Sequence, residues 1–163
     1  MEYHVARLLY QYRKLADIKK GMYPLHGGDV EFELFGFFEV SYHLKDYIKE
    51  SPDYSKYSNV EEFISANRYL RICADICNRL KHSKLTKPPR SASPIGPFKI
   101  KTEITVGPTP EDATVKIREA RIDTELGEVC CFDLAARCIT EWQSYFKKNE
   151  IKSALCGLSS KTP

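Results

Sequence analysis

The chain has 163 residues, with 42% hydrophobic and 29% charged residues and a net charge of +3, the balance of one globular domain with a full core. No apolar run is long enough to cross a bilayer, and the charge is smaller than that of a dedicated backbone-binding nucleic-acid protein. The start, Met1-Glu2-Tyr3-His4, lacks the basic and apolar segments of a secretory signal. A cytoplasmic protein is therefore expected, with its six cysteines reduced and serving as core thiols.

Residues 3–20 read as a first helix, with an apolar stripe of Val5, Leu8, Tyr12, Leu15 and Ile18 and a stop at Gly21. After a loop rich in breakers, residues 30–50 form a second helix. Its apolar residues, among them Phe32, Leu34, Phe37, Phe38, Val40, Leu44 and Ile48, wrap most of the circumference and predict a largely buried element. Ser51-Pro52 ends it. Asn59 and Glu62 resemble a capping box that opens a third helix running to about Lys84. A Pro-rich connection over 88–97 follows.

The period then changes from helical to alternating. Phe98, Ile100, Thr102, Ile104 and Val106 define a strand. Val115, Ile117, Ala120 and Ile122 define its partner, with a parity change that predicts a bulge. Val129-Cys130-Cys131 forms a third short strand. Asp133 is expected to cap a final helix with the stripe Leu134, Cys138, Trp142, Tyr145 and Phe146. The whole predicts a mainly α, single-domain protein over 1–150, with an antiparallel hairpin or three-strand insertion at about 98–131 and a weakly specified tail over 151–163.

Two polar stripes stand out. Arg71, Asp75, Asn78 and His82 lie within about 60° of one another on the third helix, so Asp75 can orient Asn78 and Asn78 can contact His82. Glu39, His43, Asp46 and Glu50 repeat that spacing on the second, where His43 and Asp46 can pair. Each stripe is also what a solvated helix face looks like. The basic residues Arg79, Lys81, Lys84, Lys87 and Arg90 read either as a helix end that offsets the helix dipole or as an RNA-facing patch. A metal site from His43, Asp46 and His82 would need two helices to converge, and nothing in the sequence calls for one; no metal or cofactor is expected.

The segment Cys77-Asn78-Arg79-Leu80-Lys81-His82, together with the Phe-rich helix carrying Glu39, His43 and Asp46, resembles a bacterial and phage-type branch of HEPN-like proteins with an Asn-x-x-Lys-His helix end. The resemblance implies a HEPN-like helical bundle of four to five helices, built from about 3–86 and 132–149. It also implies a homodimer with a composite cleft, RNA as a ligand, and a cognate antitoxin or other partner protein in a defence, toxin or phage-conflict setting. Catalytic members cleave RNA without metal. By that resemblance His82 would be the acid or base, and Asn78 would orient it. Asp75, Arg71, His43, Asp46 and Glu39 would be supporting residues, and Arg79, Lys81 and Lys84 would bind RNA.

The family's phosphate-binding arginine is replaced by Cys77, which faces the apolar side of the helix. Losing such a charge partner commonly lowers rates by factors of hundreds. RNA binding or dimerisation with weak or absent nuclease activity is therefore expected. An active endoribonuclease using His82 and Asn78, and an interaction module with no RNA role, are the alternatives.

Overall fold

Hydrophobic periodicity and breakers divide the chain into five α-helices and one small sheet in the structure, a computed structural model that describes residues 1–21, 29–81, 88–91, 93–105 and 114–157. The helices are α1 (Glu2–Lys19), α2 (Asp29–Lys49), α3 (Val60–Ala66), α4 (Arg68–Lys81) and α5 (Cys131–Lys148). The strands β1 (Phe98–Thr105), β2 (Thr114–Thr124) and β3 (Gly127–Cys130) form an antiparallel sheet in that order, between α4 and α5. The mainly helical reading with a small antiparallel insertion is correct at this level.

The apolar wrap of α2 makes it the centre of the molecule, packed along α1 and α4 and touching α3 and α5. Leu34, Phe37, Phe38, Leu44 and Ile48 are fully buried, although Phe32 is 76% exposed. The α5 stripe completes the core: Leu134, Cys138, Trp142, Tyr145 and Phe146 are all buried. The Trp142 indole Nε1 donates to Ser41 Oγ at 3.1 Å, which satisfies the one polar atom the indole carries into the interior.

Local chemistry accounts for the boundaries. α1 stops because Gly21 adopts φ +74°, a region glycine enters without steric cost, while its N–H bonds the Ile18 carbonyl. Asn59 Oδ1 accepts from the backbone N–H groups of Glu61 and Glu62 and caps α3. The expected single helix from Asn59 to Lys84 is in fact two. Asn67 leaves the helical region (φ −101°, ψ 118°), and its side chain accepts from the N–H groups of Tyr69 and Leu70, so it closes α3 and caps α4.

Of three further expectations, two change and one holds. Asp133 sits in the first turn of α5 and does not cap it; the cap position is Cys130, and Asp133 pairs with Lys19 of α1. The segment after 150 is not loose throughout, because Ile151 and Leu155 are buried in the core, with a 3₁₀ turn over Ala154–Gly157. In the sheet, Lys101 faces Glu119 but Thr102 faces Ile117, so Arg118 is an extra residue on β2, the bulge that the parity change predicts.

Candidate functional site

The polar strip of α2 meets α4 at a residue outside the α4 stripe, on its apolar side. His43, on the half-buried strip of α2, places Nε2 3.7 Å from the thiol of Cys77 on α4. On its other side Nδ1 lies 2.8 Å from Asp46 Oδ2, one turn further along α2. When Nδ1 carries the proton and donates to Asp46, Nε2 is free to accept from the Cys77 S–H.

Burial alone would raise the Asp46 carboxyl. Hydrogen bonds from Lys45, 2.7 Å away, and from His43 outweigh it and hold Asp46 below the ordinary carboxylate range. Cys77 is 1% exposed, so it faces the core as its helical angle predicts.

The α4 stripe has a different fate. Asp75 is buried, at 3% exposure. Its carboxylate accepts from the N–H of Arg90 (2.8 Å), the N–H of Ser91 (2.7 Å) and the Ser91 hydroxyl (2.6 Å). It therefore anchors the connection that follows α4, where the sequence had it orienting Asn78. Arg71 is likewise committed to structure, donating to Glu125 Oε1 in the β2–β3 turn and to the Ser65 carbonyl, both at 3.0 Å.

Asn78 and Arg79 are half-buried near the end of α4. Arg79 lines a cavity of about 60 Å³ with Glu31, Ile76 and residues 95–98. His82 and Lys84 lie outside the described residues, as does the side chain of Lys81. Arg90, one of the local basic residues, is a cross-brace: it pairs with Glu61 at 2.9 Å and donates to the Tyr42 hydroxyl at 3.3 Å. Burial would raise Glu61, but Lys49, Arg90 and Lys45 converge on it and pull its carboxyl down to about 2.

The far face of His43 opens on a groove of about 230 Å³ between α1 and α2, lined also by His4, Arg7, Glu39, Val40 and Tyr47. The His4 ring stacks on Tyr47. Burial, then the positive charges of the chain's amino terminus and of Arg7, lowers its pKa. Sequence reasoning missed His4 and Arg7. Their i, i+3 spacing puts them on one face of α1, but nothing in the sequence alone says that this face meets the His43 stripe.

Among the described residues, no three His, Cys, Asp or Glu side chains group as a metal site, and no helix is long and apolar enough to cross a membrane. Comparison of the chain with family models, with curated proteins and with solved structures finds no match. Its chemistry is therefore argued from its own geometry.

Proposed function

We propose that this chain is a HEPN-like protein of a defence, toxin or phage-conflict system, acting by RNA binding or dimerisation with weak or absent nuclease activity. The observation that carries this reading is the junction of α2 and α4. A carboxylate-oriented imidazole meets Cys77, which stands at the motif's arginine position and next to Asn78 on α4. The adjoining groove adds a guanidinium and a second imidazole, from Arg7 and His4. These are donors of the kind that a phosphate backbone takes up.

Weak nuclease activity follows from the same residues. Cys77 is buried, Arg71 is tied to Glu125, and Arg90 is tied to Glu61. Neither Arg71 nor Arg90 is available for a phosphorane charge, which often dominates such catalysis, and the Arg7 guanidinium lies on α1 rather than at the Cys77 position. Both His43 nitrogens also have neighbours, so His43 acts as an acid or base on RNA only after the Cys77 contact opens.

The alternative, an active metal-independent endoribonuclease centred on His82 and Asn78, is separated by assaying single-stranded RNA with purified protein in excess chelator. Wild type, His82→Ala and Asn78→Ala are expected to give the same low background. Cleavage by wild type that both substitutions abolish would establish the nuclease instead. An interaction module without RNA is favoured by the exposed aromatics Tyr3, Tyr10 and Phe32. It predicts no RNA binding at moderate salt.

A further inference from the structure

Cys73 and Cys77 stand about one turn apart on α4, and each is 1% exposed. Their partners differ. Cys73 Sγ donates to the Phe38 backbone carbonyl at 3.4 Å, a group that takes a hydrogen bond but not the proton itself, and it neighbours the Cys138 thiol. Cys77 Sγ faces His43 Nε2, a base whose other nitrogen is held by Asp46. This order of thiol, imidazole and carboxylate is the one by which nucleophilic thiols are activated elsewhere, since the thiolate and not the thiol is the nucleophile. We propose that Cys77 is a hydroperoxide-reactive thiol, with His43 as its proton acceptor and Asp46 as the residue that positions His43.

The step balances without any further reactant. Cys77 Sγ passes its proton to His43 Nε2. The sulfur attacks one oxygen of the peroxide; an S–O bond forms and the O–O bond breaks. The departing oxygen leaves with the electron pair and takes the proton from Nε2. The sulfur is oxidised to a sulfenic acid, one peroxide oxygen is reduced to water when hydrogen peroxide is the substrate, and the imidazole returns to its starting state.

Hydroperoxide is the class that fits the burial. A thiol with 1% of its residue surface exposed meets a water-sized oxidant far more readily than a bulky electrophile. The other buried thiols are held differently, and Cys138 Sγ donates to the Tyr69 carbonyl at 3.7 Å. Burial pushes Cys131 up to about 12, and burial together with the neighbouring Cys73 raises Cys138. The exposed Cys156 donates to the Ile151 carbonyl at 3.6 Å.

The test uses hydrogen peroxide on the full chain. The reaction is quenched at intervals, surviving thiols are alkylated under denaturing conditions, and each cysteine is quantified by peptide mass spectrometry. Cleavage before Asp75 puts Cys73 and Cys77 on separate peptides. Cys77 is expected to disappear at least about tenfold faster than Cys73, a ratio attributable to the base because burial is matched. His43→Gln should bring the ratio close to one, and Asp46→Asn should lower it severalfold, with melting curves to show that each variant is folded. The two substitutions guard each other: if one fails to fold, the other decides. A wild-type ratio near one, or a ratio unchanged in the folded variant, would overturn the proposal.

Discussion

Two polar clusters sit on α4 two residues apart, about 200° around the helix. Asp75 is buried and accepts three hydrogen bonds from Arg90 and Ser91. Cys77 is equally buried and meets an imidazole that is one-third exposed and opens on a groove. The first cluster joins sequence-distant segments; the Arg90–Glu61 pair and the Arg90–Tyr42 bond extend it across α2 and α3. The second links α2 to α4 and lies beside a groove. The first is a buried carboxylate knot that holds the fold, whereas the second puts a thiol and an imidazole beside a groove. The charged residues that a helical wheel would send to a functional stripe went into the knot, and the residue that it would send to the core entered the reactive cluster.

Substitution separates the two clusters most strongly at their centres. Replacing Cys77 with arginine forces a charged side chain into a core position. It should destabilise the chain by about 4 kcal/mol without creating nuclease activity. Chemical denaturation and a chelator-treated RNA assay check both halves, and a stable, cleaving variant would erase the distinction. Asp75→Ala should lower stability by about 3 kcal/mol, because two backbone donors and a hydroxyl lose their acceptor in the interior. At about 2–4 °C per kcal/mol for a chain of this size, the melting temperature should fall by several degrees.

Acid titration should report on the knot. Glu61 is depressed from 4.5 to about 2 in the folded chain. Its contribution is therefore complete above about pH 4.5 and is lost as pH falls through 2. Asp46, also held below its ordinary value, adds in the same direction. Glu61→Gln should flatten the acid limb of a stability-against-pH curve, which an unchanged limb would contradict. The smallest expected effect is on the other cluster. Asp46→Asn should change stability by less than about 1 kcal/mol, since Asp46 is 42% exposed and surface ion pairs contribute little.

Much of the fold was legible because packing follows periodicity. The α2 wrap, the α5 stripe, the bulge opposite Lys101 and the turn at Gly21 all come from spacing or from a glycine. The break at Asn67 was not, because the run of helix formers carries on through it and only the side-chain bonds to Tyr69 and Leu70 reveal a second cap. In the candidate site, the pairing of His43 with Asp46 was readable from an i, i+3 spacing within one helix. The commitments of Asp75 to Ser91 and of Arg71 to Glu125 span 16 and 54 residues, and no local pattern encodes them. The meeting of Cys77 with His43 was hidden for the same reason, and because a cysteine on an apolar face reads as core.

Fluorescence anisotropy of a labelled single-stranded RNA tests most directly the proposed uptake of an RNA backbone by the groove beside His43. The wild-type chain should bind, and both His43→Gln and Arg7→Ala should weaken binding by about tenfold while the melting temperature stays within about 2 °C. An RNA that does not bind the wild type, or binds both folded variants as tightly, would contradict it.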